Sequence, residues 1–166
     1  RAWGVPLPTA AGLNLLQMMD AAEAGTLKGL WVMGYDLLLT NAHAAATHRA
    51  LARLELLVVQ DLFLNETARA YGTVFLPAAA SFEKDGTFMN AERRIQRVRR
   101  ALAPPGEARA DADALCAVAR ALGKGESFHD VPAEAVWNEI RAVWPPVAGI
   151  TYARLDHGGL QWPCPD

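Results

Sequence analysis

The residues of this chain that could do chemistry form a sparse set. Its two cysteines, Cys116 and Cys164, stand far apart. An iron–sulfur cluster usually takes four thiolates, and a structural zinc site takes closely spaced ligands, so this pair supplies neither. His43 and His48 are five residues apart, which turns them to different faces of a helix, and His129 and His157 stand alone. Each reads as a surface or structural histidine rather than a metal ligand. No serine–histidine–carboxylate set can be assembled, and there is neither a P-loop nor a G-x-G-x-x-G. What remains is a group of polar acceptors, Gly34, Asp36, Thr40, Gln60 and Asp61, and a basic run, Arg93, Arg94, Arg97, Arg99 and Arg100. A carboxylate such as Asp36 can accept two N–H donors from a guanine edge. The arginines suit a phosphate, since guanidinium forks match anionic oxygens, but a solvated face or a seam against another domain is the plainer reading.

The acceptors gain meaning from the elements that must carry them. Pro8 to Ala24 has Leu13, Leu16, Met19 and the Ala21–Ala22 pair at helical spacing, with Thr9 as the expected N-cap and Gly25 as the C′ residue. Lys28 to Gly34 is a short apolar run closed by glycine, as a buried strand would be. His43 to Leu54 is alanine-rich and helix-prone. Glu55 to Asp61 reads as a second buried strand, Asn65 to Ala70 as a short helix capped by Asn65, and Thr73 to Pro77 as a third strand stopped by proline. Strands alternating with helices over short connections imply a parallel sheet with right-handed crossovers. Ligands of such sheets bind at the carboxyl ends of the strands, where Gly34, Asp36, Thr40, Gln60 and Asp61 fall. Asp36 and Asp61 can equally be caps of the helices that follow.

Beyond Pro77 the pattern changes. Glu83 to Arg100 is polar and basic around a Lys84-Asp85-Gly86-Thr87 turn and reads as an extended, partly β region, and Pro104-Pro105-Gly106 as a hinge. Asp111 to Leu122 is an amphipathic helix ended by Gly123, with Cys116 expected as a core residue beside Leu115, Val118, Ala119 and Leu122. Pro132 to Trp144 is another helix, with Asp130 as the expected N-cap and Pro145-Pro146 as the stop. Gly149 to Asp166 reads as irregular. The expected class is therefore α/β: a parallel-sheet, three-layer (Rossmann-like) unit, then an irregular β/loop region and two helices. Its parts are 1–77, 78–108, 109–145 and 146–166.

The bulk numbers exclude several roles. With 166 residues the chain can build a real core, and a net charge of −2 does not point to nucleic acid or an anionic membrane as a partner. No apolar run approaches the ~20 residues of a membrane span, and no signal peptide is visible. Unsupported cysteine pairing makes a reducing compartment, the cytoplasm, the default, with the periplasm left open. The chain opens on Arg1 and closes on a Trp162-Pro163-Cys164 motif, which reads as an excised piece of something longer.

Several ordered motifs carry a resemblance. Val58 to Ala68 resembles the V-V-Q-D-x-F-x-x-E-T-A segment of formate dehydrogenase large subunits, which are molybdopterin oxidoreductases. Val74 to Ala78 resembles their V-V-L-P-A strand end, and Glu83 to Gln96 their E-K-D-G-T-F-T-N-x-E-R-R-V-Q. Gly159 to Cys164 is similar to their G-x-Q-W-P-C, and Ala2 to Pro6 to the start of the same region. The resemblance covers essentially the whole chain in order. It implies an internal piece of a subunit that oxidises formate to carbon dioxide, or runs the reverse, at molybdenum or tungsten held by molybdopterin guanine dinucleotide. A 4Fe-4S cluster, not ligated by these residues, would pass electrons on.

By the same resemblance the 1–77 part would hold one dinucleotide and the 78–108 part would wrap the pterin. Residues 109–145 would return to the α/β unit. Gly34, Asp36, Thr40, Gln60 and Asp61 are then expected at the guanine end, and Lys84, Gly86, Thr87 and Asn90 near the pterin. The family's metal ligand, catalytic histidine and arginine lie outside this piece, so no residue here is expected to be catalytic. The piece alone would be inactive and would bind no cofactor by itself. Its partners would be the remaining domains of the subunit and electron-transfer subunits, without nucleic acid or direct membrane insertion. Tyr35 and Leu37 replace the family's Glu and Pro, and Thr73 stands where its acid should be, with one extra residue. These departures motivate an alternative: a homologous electron-transfer scaffold that has lost the molybdenum site, as in respiratory complex I. A stand-alone nucleotide-binding module is a third reading.

Overall fold

A computed structural model describes Gly4 and residues 6–166. They divide into two compact units, the first ending at Ala78 and the second running from Ala79 to Asp166. Of the Ala2 to Pro6 motif, only Gly4 and Pro6 lie among the described residues.

The first unit begins with helix α1, Leu15–Glu23. It starts later than its spacing suggests, because Asn14 rather than Thr9 is the cap. The Asn14 side chain accepts from Gln17 N–H while the Gln17 side chain accepts from Asn14 N–H, satisfying two orphan donors reciprocally. Gly25, with φ +76°, follows the helix as the expected left-handed residue. Strands β1 (Gly29–Met33), β2 (Leu56–Asp61) and β3 (Val74–Pro77) form a parallel sheet in the order β1-β2-β3. Register places Trp31 beside Val58 and Met33 beside Gln60. Between the strands lie α2 (Leu37–Thr40), α3 (Ala44–Leu51) and α4 (Glu66–Tyr71). One sheet face, with Val32, Leu57 and Val59, packs on Met19, Ala22, Ala50 and Leu51. Leu57 and Val59 are essentially sealed from solvent, so the β-branched, leucine-rich run of the central strand is consumed by the core.

The second unit is built on an antiparallel sheet. Strands β4 (Gly86–Met89) and β5 (Arg94–Val98) form a hairpin, so the polar Glu83 to Arg100 stretch is partly β, as expected. The turn is fastened by Asn90, whose side-chain oxygen accepts from Glu92 N–H and Arg94 N–H, each at 3.0 Å. Arg93 takes the left-handed conformation there, φ 62°, uncommon for a side chain other than glycine or asparagine.

Helices α5 (Asp111–Ala121) and α6 (Ala133–Val143) follow. Asp130 does not cap α6. The cap position is Pro132, and Asp130 instead accepts from Arg120 at 3.0 Å. Cys116 is only half-buried, donating its thiol to the His129 carbonyl, and Leu115 and Leu122 are exposed, so this helix face is not core within the unit.

The C-terminal segment is largely irregular, as expected, but carries two short elements. Helix α7 (Tyr152–Leu155) is capped by Thr151, and β6 (Leu160–Gln161) joins the sheet beside β5. A second core forms from Ile95, Trp137, Val147, Ile150, Tyr152 and Leu155. The Trp137 indole N–H donates to the Ile150 carbonyl at 2.6 Å, which satisfies both groups inside that core.

Candidate functional site

In the first unit the candidate residues gather at the carboxyl edge of the parallel sheet. Gly34 directly follows β1 with φ +61°, and its N–H donates to the Gln60 carbonyl at 2.8 Å. A Cβ placed there would meet nothing within 4 Å, so the glycine serves the backbone turn and leaves open space over it. Gln60 is buried on the central strand, while Thr40, the last residue of α2, is exposed. At the end of β2, Asp61 accepts from Leu62 N–H at 2.7 Å and from the Asn65 side-chain amide at 2.8 Å. Asn65 in turn caps α4 through Ala68 N–H.

Asp36 ties this edge together. Its Oδ1 accepts from Leu39 N–H at 3.4 Å, which caps α2, and from the Thr67 hydroxyl at 2.6 Å. Its Oδ2 accepts from Glu66 N–H at 3.3 Å. Thr67 is fully buried, and its hydroxyl also accepts from Leu38 N–H at 3.0 Å. The starts of α2 and α4 are thus joined through one carboxylate and one hydroxyl. Burial alone would raise the Asp36 pKa, but hydrogen bonds from the Thr67 side chain and from the backbone of Leu39, Glu66 and Thr67 outweigh it. The carboxyl is held below its ordinary value. Thr67 carries no signal of this role in the sequence, because its partner Asp36 lies 31 residues away.

The second unit collects a different set. Lys84, Gly86 and Thr87 line a cavity of about 410 Å³ together with Arg100, Arg109 and the Val136–Ile140 face of α6. Lys84 reaches across to Asp111 in the first turn of α5, at 2.5 Å, and is largely shielded from solvent. Asn90 is not part of the cavity. It sits at the hairpin tip with its side-chain oxygen committed to the turn.

The basic run resolves into a clasp on the C-terminal segment. Arg97 and Arg99 both bind the Asp156 carboxylate, Arg97 at 2.7 Å, and the Arg97 guanidinium lies 4.4 Å from the Tyr152 ring centre. Arg94 donates to the Gly159 carbonyl at 2.9 Å, and Arg93 stacks over Trp162 at 5.3 Å. The hydrogen bond from Arg97, with the charges of Arg97 and Arg99, holds the Asp156 carboxyl below its ordinary value.

His43 caps α3 by accepting from Ala46 N–H, and His48 pairs with the Tyr71 hydroxyl. Among the described residues, no three His, Cys, Asp or Glu side chains converge to hold a metal. No helix among them is long and apolar enough to cross a membrane.

Comparison with known proteins bears on this arrangement. The family model "Molybdopterin oxidoreductase" matches residues 6–121. The F420-dependent formate dehydrogenase subunit alpha of Methanocaldococcus jannaschii is 44% identical over 165 residues, covering 99% of this chain and 24% of that protein. Formate dehydrogenase H of Escherichia coli is 33% identical over 168 residues, covering 100% of this chain and 23% of that protein. The assimilatory nitrate reductase catalytic subunit of Bacillus subtilis is 38% identical over 175 residues, covering 100% and 24%. The chain therefore spans about a quarter of the length of these relatives. Among solved structures, acetylene hydratase from Pelobacter acetylenicus superposes with a TM-score of 0.64 at 19% identity, over 75% of this chain and 18% of that one, a likeness of fold.

Proposed function

We infer the function from one premise: this chain belongs to the molybdopterin oxidoreductase family. The reading that fits its geometry is a cofactor-holding part of a formate-dehydrogenase-like subunit, with formate and carbon dioxide as the substrate pair of the whole protein. Nitrate reductase among the relatives shows that family membership alone does not choose the substrate, and the formate reading rests on the formate dehydrogenases of comparable or higher identity.

The observation that carries the cofactor-holding reading is the carboxyl edge of the parallel sheet. An open glycine turn at Gly34 stands two residues from an ionised carboxylate at Asp36, with Thr40 exposed beside them in sequence. A guanine presents N–H donors, and an ionised carboxylate with a nearby hydroxyl is the complementary acceptor set. The residues present thus fit the guanine end of molybdopterin guanine dinucleotide. Asp36, Gly34, Thr40 and the Gln60–Asp61 strand end would hold it, and the Lys84, Gly86 and Thr87 cavity wall would serve the pterin side, with Asn90 holding the hairpin turn. When bound, the cofactor supplies the molybdenum or tungsten centre at which the redox step occurs, and this chain contributes position rather than reacting groups. A 4Fe-4S cluster, the other domains of the subunit and electron-transfer subunits would be supplied from elsewhere, in a cytoplasmic complex.

Metal and nucleotide analysis of the full-length protein tests this reading. Molybdenum or tungsten together with guanine nucleotide released on hydrolysis is the expected result. Well-folded protein with neither would sink it in favour of the metal-free electron-transfer scaffold.

A further inference from the structure

The loop that leaves the central strand carries apolar side chains that the first core does not use. Leu62, Phe63 and Leu64, between β2 and α4, are all exposed, and Phe63 keeps 77% of its surface. Leu39 on α2 is 78% exposed. Single exposed leucines are ordinary, but three consecutive large apolar residues form a patch, and such patches mark interaction sites.

This rim is fastened rather than loose. Asp61 closes the loop on itself, its Oδ1 accepting from Leu62 N–H at 2.7 Å and its Oδ2 from the Asn65 amide at 2.8 Å. The Leu64 carbonyl accepts from Arg69 Nε at 2.9 Å, and Asn65 caps α4. Asp36 joins the loop to α2, because its two oxygens accept from Leu39 N–H and Glu66 N–H. The backbone under the four side chains is therefore ordered in folding, which leaves little ordering entropy to lose on contact with a partner. Thr40, Glu66 and Arg69, exposed on the same elements, supply polar neighbours of the kind that surround an apolar contact centre.

Four anchors are too few for an interface between separate proteins, which takes about 20–30 residues a side. Within one polypeptide the chain connection supplies a high effective concentration, so a few anchors suffice. The relatives have such polypeptide to offer. The match to the Methanocaldococcus jannaschii subunit covers 24% of that protein, which leaves about three quarters of its length outside the match.

We propose that Leu39, Leu62, Phe63 and Leu64 anchor this unit in an apolar pocket on another domain of the same polypeptide, with Phe63 as the central anchor. The proposal rests on the reading of this chain as part of a longer subunit and not on the guanine assignment, so the metal and nucleotide analysis can fail while the docking stands.

Hydroxyl-radical footprinting of the full-length wild-type protein tests whether the rim is covered. Oxidation follows accessible surface, so a Phe63 that passes from 77% exposed to buried is oxidised about tenfold more slowly than in the same protein unfolded in urea. A rate within about twofold of the unfolded protein overturns the proposal, since a bare aromatic anchor desolvates nothing. The protection is also expected to be independent of protein concentration, and protection that fades on dilution overturns the proposal in favour of a second copy. Phe63→p-benzoylphenylalanine in the full-length protein then identifies the occupant by photo-cross-linking. A cross-link within the chain, to a residue outside this 166-residue part, is the expected result. A cross-link to a second copy, to a separate protein or to added phosphatidylcholine vesicles overturns the same-chain occupant. Should the substituted protein fail to fold, the wild-type footprint and its dilution series still decide.

Discussion

Replacing Asp36 with alanine should weaken the first unit itself, and the size of the loss follows from its bonds. The carboxylate caps α2 through Leu39 N–H, and losing such a cap costs about 1 kcal/mol. It also accepts from the Thr67 hydroxyl, and a hydrogen bond to a charged group contributes about 1.5–3 kcal/mol. The contacts to Leu39 and Glu66 are long, 3.4 and 3.3 Å, and lie toward solvent, so the lower ends of these ranges apply. The expected loss is about 2–3 kcal/mol, which at a urea slope of about 2 kcal/mol per molar lowers the unfolding midpoint by about 1–1.5 M. Asp36→Asn keeps one acceptor oxygen for the cap and for Thr67, so it should cost about 1 kcal/mol.

The two variants also differ from wild type in pH dependence. The folded carboxyl lies below its ordinary value of 3.8, so its stabilisation is fully present above that value. It is lost as pH falls from 3.8 through the folded pKa, because the unfolded chain then binds the proton first. Urea melts of the three proteins at neutral pH and again below pH 3.8 therefore show the wild-type advantage shrinking in acid. A midpoint within about 0.2 M of wild type in Asp36→Ala at neutral pH would refute the bracing of α2 and α4 through this side chain.

The second unit yields two further expectations and the first unit one. Because the Asp156 carboxyl is held below 3.8 by Arg97 and Arg99, the clasp on the C-terminal segment persists above that pH and loosens below it. Amide exchange of Leu160 and Gln161 should accelerate there beyond its intrinsic pH trend, and Asp156→Asn should show fast exchange already at neutral pH. Trp137→Phe removes the donor to the buried Ile150 carbonyl and should cost about 1–3 kcal/mol in chemical denaturation, with a negligible change counting against that bond. In the first unit, Gly72→Ala would set a Cβ 2.6 Å from the Ala68 carbonyl oxygen, an overpacking of about 1–3 kcal/mol visible as a lower melting temperature.

The parallel unit was legible in the sequence because its signals are local. Leu56 to Asp61 is a continuous apolar run ending in polar residues, which marks a strand with a core face, although only the Leu57 and Val59 side is sealed and Leu56 is exposed. Asn65 followed by Glu66 announces α4, and Gly25 the end of α1. The misplaced caps show where local signals compete. Thr9 and Asn14 are both good N-caps, and only Asn14 has Gln17 at the position that closes a capping box. Asp130 lost its expected role because Arg120, ten residues back, offers a charged partner that a helix N–H does not match. The tail looked irregular because β6 is two residues long and exists only as a partner to β5, a pairing across more than sixty residues that no window of sequence contains. The basic run became interpretable only once that pairing brought Asp156 and Trp162 beside it.

The three departures from the family pattern take on a different weight once their surroundings are known. Leu37 is sealed in the first core and Tyr35 packs on its margin, with its hydroxyl donating to Asn41 at 3.4 Å. Thr73 lies directly before β3, where its hydroxyl accepts from Leu57 N–H at 3.0 Å while its own N–H donates to the Leu57 carbonyl. A carboxylate at that place would do the same accepting, so the threonine keeps the local bond and gives up only the charge. Gly72, just before it, is the one residue type that fits against Ala68 without a shift. All three substitutions therefore have a folding role that their neighbours satisfy, and none of them touches the bonds that fix Asp36.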